Sequence, residues 1–202
     1  MFAPARFKVV FTPCDVCFAK NTWRKSPEVF DCFNCSYSFY NGDRKMKIQR
    51  RCIRLSFVKT GESVIAEMLD DEAPVTCQLV WDMLPVEYDW WHGRYSGMES
   101  FMILEKATLA PLEKRTMLPL PGEILYWYDG GSAVTSTGSG VAEIVFAFGR
   151  GVRLCGPEGV ASYANLFARI PGDWKYDWVD FANACARVRS EGITPVRIER
   201  VV

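Results

Sequence analysis

From Cys52 onward apolar and polar residues mostly alternate with a period of two. "CIRLSFV" and "SVIAEML" read as two strands joined through "KTGE" as a hairpin. "FMILEKA", "EILYWY" and "AEIVFAFG" read as further strands, since aliphatic and aromatic residues dominate them. Two stretches break the period. "DDEAPVTCQLVWDMLP" opens with three acids and Pro74 and is stopped by Pro85, which predicts a helix with Cys77, Val80, Trp81 and Leu84 on one face. "YDWVDFANACARVRSEG" spaces Trp178, Phe181, Cys185 and Val188 at helical intervals, with Gly192 as its stop, and "PVRIERVV" follows as a last strand. About seven or eight strands and two helices result. The strands are too evenly spaced for repeated βαβ units, so the pattern predicts a mainly β fold: a closed or nearly closed antiparallel barrel with helices over its ends.

The first fifty residues follow a different rule. Two knuckles, "CDVC" (Cys14, Cys17) and "CFNC" (Cys32, Cys35), stand 14 residues apart. A Cys-x-x-Cys turn aims two thiolates at one point, and two such turns complete a tetrahedral site. Strand-like runs flank them, "FKVVF" before the first and "YSFY" after the second. A segment this short builds little core of its own, so a structural zinc would supply its folding free energy. Residues 1–45 are therefore expected to be a zinc-ribbon-like segment, with a basic linker to 51 and the barrel over 52–202. Disulfides and a redox pair are the alternatives. Without a secretory leader the compartment is taken as reducing and cytoplasmic, and a matched second pair argues against a lone redox motif.

Charge sharpens that boundary. Net charge is zero, but residues 1–51 hold ten Lys or Arg against four Asp or Glu, and the remainder 14 against 20. Arg44, Lys45, Lys47, Arg50 and Arg51 cluster before the break, a pattern that fits either a nucleic-acid contact or a solvated linker, and the linker reading is favoured. With 49% hydrophobic and 24% charged residues the chain is expected to be globular. No apolar run is long enough to span a membrane. The Gly/Ser/Thr-rich "DGGSAVTSTGSG" resembles a flap or long hairpin tip; lacking a following lysine and a strand–loop–helix order, it is no phosphate cradle.

Candidate chemistry concentrates in "DWWHGRYSGMESF", which carries the chain's only histidine. Imidazole can take or give a proton near neutral pH, and a guanidinium clamps carboxylates through paired donors. Read as one strand, the stretch would send His92, Arg94 and Ser96 to one face and Gly93 and Tyr95 to the other. The alternatives are a strand histidine satisfied by a carbonyl and a surface ion pair of Arg94. Cys77, Cys155 and Cys185 read as core residues.

In order and spacing, several segments resemble a bacterial cyclophilin-like family of unknown function: Glu72-Ala73-Pro74-x-Thr76, His92-x-Arg94-Tyr95-Ser96-Gly97, Pro121-Gly122-Glu123, Glu143 to Gly149, and Asn165 to Ile170. The likeness runs over residues 52 to about 202 and leaves out the cysteine-rich start. Met98 between Gly97 and Glu99, and the long loop at 129–140, depart from it. It implies an eight-stranded cyclophilin-like barrel but not prolyl isomerisation, because the matching neighbourhood offers Glu143, Trp90, Trp91 and Tyr95 rather than an apolar proline pocket.

On this reading His92, Arg94 and Glu143 are the candidate catalytic residues. Ser96, Glu99, Tyr126, Asn165 and Trp91 are the candidate ligand contacts. The expected activity is binding of a small anionic molecule in the barrel, as a binding protein or as an enzyme or enzyme subunit acting on a small carboxylate or cyclic amide. The alternative is an interaction module that holds protein or nucleic acid through the basic ribbon. No organic cofactor and no membrane contact are expected, and self-association is left open.

Overall fold

The computed structural model of this 202-residue chain describes residues 23–25, 29–32, 38–40, 50–131, 140–156 and 159–201. Contacts divide the chain into two units, Met1–Gln49 and Arg50–Val202. In the first, β1 (Trp23–Lys25), β2 (Val29–Cys32) and β3 (Ser38–Tyr40) form an antiparallel sheet in that order. Cys32 ends β2, while Cys14, Cys17 and Cys35 lie outside the described residues, so the expected four-thiolate site has no described geometry. Among the described residues no group of three or more His, Cys, Asp or Glu could hold a metal, and no helix is long and apolar enough to cross a membrane.

The second unit runs β4 (Cys52–Phe57), β5 (Ser63–Met68), α1 (Pro74–Met83), β6 (Val86–His92), β7 (Glu99–Ile103), β8 (Arg115–Thr116), β9 (Glu123–Asp129), β10 (Val141–Ala147), β11 (Ala164–Arg169), α2 (Val179–Glu191) and β12 (Thr194–Val201). Strand order around the wall is β5-β4-β12-β6-β7-β10-β9-β11, and β11 pairs back onto β5. Eight strands therefore close a barrel, with β8 added on β11 beside the closing seam. The predicted hairpin is β4–β5. β6 and β11 were not separable from their surroundings by alternation alone, because β6 carries polar residues at both faces and β11 is buried over five consecutive positions.

The barrel interior is filled rather than hollow, as expected at this strand number. Phe146 stands at its centre with no exposed surface, its ring 5.7 Å from Trp178 and Phe181 and 6.4 Å from Trp90. Ile53, Leu55, Met68, Met102, Ile124, Ile144 and Ile198 complete the packing. α2 closes one opening with Phe181, Ala182, Cys185 and Val188.

α1 begins at Pro74 as the sequence predicts, but its N-terminus is not served by the preceding acids. Asp70, Asp71 and Glu72 pair instead with Arg51, Arg50 and Lys114. Glu113, from the loop before β8, accepts the N–H groups of Val75 (3.1 Å) and Thr76 (2.8 Å) and the Thr76 hydroxyl (2.7 Å). A side chain distant in sequence satisfies the orphan donors, so only the fold reveals the cap.

β9 and β10 are buried on both faces. Their even-numbered side chains join the barrel core, while Leu125, Trp127, Val145 and Ala147 form a second apolar cluster outside it with Val152, Leu154, Ala164 and Leu166. The segment after β10 covers this outer wall. The Trp127 indole N–H donates to the Ser162 hydroxyl (2.6 Å), and Leu154 N–H donates to Met117 O (2.8 Å).

Truncating the central ring tests this account of the core. Phe146→Ala is expected to lower stability by about 3–5 kcal/mol, the range for removing a fully buried phenylalanine. A shift of the urea midpoint worth under about 1 kcal/mol would mean that Phe146 does not hold the interior together.

Candidate functional site

β6 ends at His92 and β7 starts at Glu99, so the stretch read as a single strand is a hairpin whose six-residue tip is Gly93–Met98. Gly93 N–H donates to Glu99 O (2.9 Å), which closes the hairpin. Its tip is tied to the covering segment: Arg153 N–H donates to Ser96 O (3.0 Å), Phe148 N–H to Met98 O (3.0 Å), and the Cys155 thiol lies 3.5 Å from Tyr95 O. Glycine permits this approach. At Gly97, with φ +90°, a Cβ would stand 2.7 Å from Gly151 O.

Between hairpin tip, covering segment and barrel wall lies a cavity of about 330 Å³. Trp91, Phe101, Trp127, Glu143 and Val145 form its floor, all on the outward face of β6, β7, β9 and β10. His92, Arg94, Tyr95, Ser96 and Glu99 come from the hairpin, and Leu154, Cys155, Gly156 and Ser162 from the covering segment. The site is thus on the outside of the barrel wall, roofed by loops. Alternation along one strand does not account for it: Arg94, Tyr95 and Ser96 leave the strand and all three still line the cavity.

The polar groups fall into two sets. His92 Nδ1 stands 2.7 Å from Gly93 O, and its ring meets Phe148 edge-on at 5.6 Å. A carbonyl oxygen can only accept, so Nδ1 carries the proton and neutral His92 keeps Nε2 as an acceptor. Arg94 is exposed and has no hydrogen-bond or ion-pair partner among the described residues.

The carboxyls are the second set. Glu99 is only 5% exposed. Its carboxyl rests against Gly93, where a Cβ would come within 3.3 Å of Oε1, and Ser96 hydrogen-bonds it. Oε2 has no partner. Burial raises the Glu99 pKa to about 7, only partly offset by the Ser96 bond. Glu143 is raised to about 8, by burial first and then by the charge of Glu99.

Six of the residues singled out from the sequence therefore meet in one cavity: Trp91, His92, Arg94, Ser96, Glu99 and Glu143. Tyr126 and Asn165 do not. Tyr126 points into the barrel core, where its hydroxyl donates to Thr108 O (2.5 Å) and accepts from Thr108 N–H (3.3 Å). Asn165 donates to Thr76 Oγ1 (2.9 Å) and Pro111 O (2.7 Å) and accepts from Glu113 N–H (3.3 Å), clipping α1 to β11. Strand alternation separates Tyr126 from its neighbour Trp127, so an expectation of one aromatic should have fallen on the other. Phe101, Trp127, Leu154, Cys155 and Ser162 were missed. The uninterrupted apolar run "EILYWY" was a usable signal, since a strand apolar on both faces needs cover on both.

No curated protein matches the chain. Among solved structures it is similar to McbB in complex with tryptophan, at 15% identity and a TM-score of 0.52, over 73% of this chain and 44% of that one. It therefore spans less than half the length of McbB, and the likeness concerns the fold. The hypothetical protein AF2241 from Archaeoglobus fulgidus, known from its solution structure, aligns at 17% identity and a TM-score of 0.46 over 80% of this chain and all of that one. The strand pairing shows a closed barrel, and the narrower cyclophilin likeness stays a resemblance in sequence. A family model matches residues 55–200, which cover nearly the whole barrel, and the chain belongs to that family, the proteins of unknown function DUF3830.

Proposed function

We propose that the cavity on the outer wall binds a small carboxylate-bearing molecule, with Arg94 as the carboxylate clamp. The observation that carries this reading is the convergence of groups on one hollow: an exposed guanidinium with no partner among the described residues, an imidazole with Nε2 available, and the buried Glu99 and half-buried Glu143 carboxyls, all between aromatic walls. A guanidinium meets a carboxylate through two parallel donors, and the aromatic floor suits an apolar or planar body. McbB, whose structure holds tryptophan, makes amino acids sensible first ligands to try.

The same groups suit acid–base chemistry on a cyclic amide. Nε2 of His92 takes a proton from water as its oxygen attacks the carbonyl carbon. A protonated Glu99–Glu143 pair then gives a proton to the nitrogen as the C–N bond breaks, leaving a carboxylic acid and an amine, and the proton taken up by His92 returns to the pair. Arg94 and the pair would hold the ring across this step. We do not propose prolyl isomerisation, because the cavity offers buried acids where an apolar proline slot is needed.

Titration of binding tests the clamp. Arg94→Ala is expected to weaken binding of a simple carboxylate such as 3-phenylpropanoate by about ten- to a hundred-fold, and Arg94→Lys to recover little of it. Unchanged affinity in Arg94→Ala would remove the proposal.

The carboxyl pair also predicts a pH dependence of stability. Both acids have folded pKa values above the ordinary 4.5. The native state then holds more protons than the unfolded chain, so their contribution is fully present below pH 4.5 and is lost as pH rises through about 7 and 8. Glu99→Gln cannot ionise. The stability difference between variant and parent should therefore move in favour of the variant from pH 5 to pH 8, by up to about 1.4 kcal/mol per pH unit. Parallel unfolding curves at both pH values would show that Glu99 is not held in the low-dielectric setting described.

A further inference from the structure

We infer that the ligand carries a cationic nitrogen beside its carboxylate, a small amino-acid-like zwitterion whose ammonium seats against Glu99 and Glu143. This rests on the carboxylate reading above and extends it to the ligand's second group. The cavity places two acids on one wall with no ion pair to either among the described residues. Glu99 is more than nine-tenths buried, its carboxyl backed by Gly93 and Ser96, and its remaining oxygen has no donor among the described residues. A proton can meet that need; an ammonium meets it too, and its full positive charge also favours Glu143, which feels the charge of Glu99.

The surroundings of the pair support a cation from outside the chain. The titratable groups that line the cavity around it are His92 from β6, Arg94 and Tyr95 from the hairpin tip and Cys155 from the covering segment, and Asp129 lies two positions from Trp127 on the same face of β9. None of the cations among them lowers either acid: burial dominates both, and the other charge felt by Glu143 is that of Glu99. Without a counter-charge, removal from water favours the protonated form of such acids, and a cation entering beside them displaces a proton. Arg94, on the exposed hairpin tip, remains for the carboxylate. Trp91, Phe101, Trp127 and Leu154 leave an apolar space for the rest of the ligand.

Three probes separate the claims by calorimetry on the full chain: L-phenylalanine, 3-phenylpropanoate, which lacks the ammonium, and phenethylamine, which lacks the carboxylate. L-Phenylalanine is expected to bind at least about ten-fold more tightly than either one-headed probe. Its affinity should rise from pH 6 to pH 8, by up to about ten-fold per pH unit for one proton displaced, while that of 3-phenylpropanoate does not rise. Glu99→Gln and, separately, Glu143→Gln should abolish the advantage of L-phenylalanine over 3-phenylpropanoate. A cooperative urea transition in each variant shows that it folds. If L-phenylalanine binds no better than 3-phenylpropanoate, or loses affinity as pH rises, the ammonium seat is overturned while the Arg94 clamp stands. If 3-phenylpropanoate fails to bind, or ignores Arg94→Ala, the carboxylate reading falls, and the ammonium seat survives only if phenethylamine binds in a Glu99-dependent way.

Discussion

The barrel depends on one short seam. β5 and β11 pair through two positions, Met68 with Ala168 and Glu67 with Arg169, and Leu69 N–H adds a bond to Phe167 O at 2.7 Å. Without it the wall would be an open sheet with two bare edges, and β9 and β10 would have no fixed curvature. Closure needs β11 to shift register between Leu166 and Ala168, a bulge that bends the strand toward β5. β8 pairs with β11 just ahead of this bulge, at Ala164 and Asn165, and Glu113 just ahead of β8 caps α1. Seam, bulge and helix cap are therefore one arrangement, and Asn165 ties its parts together.

Closure also decides where a ligand can go. Eight strands enclose only enough space for side chains, and Phe146, Trp90, Tyr126 and Met102 occupy it. The remaining concave surface must lie outside the wall, beneath whatever covers β9 and β10. The covering segment seals most of that face with Val152 and Leu154. It stops short over β6 and β7, where the hairpin tip rises to meet it, and the cavity is the gap between these two loops.

Much of the fold was legible because alternation and helix stops are local signals. The β4–β5 hairpin, the proline-initiated α1 and the spacing of Phe181, Cys185 and Val188 in α2 need no knowledge of distant residues. The cap from Glu113 was not legible, since it depends on a residue 37 positions from Thr76. The candidate site was legible in part for the same reason. His92, Arg94, Ser96 and Glu99 lie within one hairpin, so sequence proximity found them. Glu143 came through a resemblance, and Trp127, Cys155 and Ser162 reach the cavity only through strand pairing and loop docking. The error over Tyr126 has a simple physical source: neighbouring positions on a strand face opposite sides, and composition does not say which side is the barrel interior.

Two glutamates show how a structural acid differs from one kept for another purpose. Burial disfavours ionisation of Glu113, but the Thr76 N–H and hydroxyl and the Val75 N–H outweigh it and hold its pKa below the ordinary value. Its charge is spent on a helix terminus, where it stabilises the fold. Glu99 sits in a β-strand with one hydroxyl for a partner, and burial wins, raising its pKa. Nothing in the strand pairing requires an acid there: its partner across the ladder is Ala147, and the bond that closes the hairpin uses the Glu99 backbone. With Glu143 raised further beside it, the wall carries two acids that weaken the empty protein as pH rises. Groups that cost stability and serve only the Ser96 hydroxyl among the described residues make physical sense when a further partner arrives from solvent.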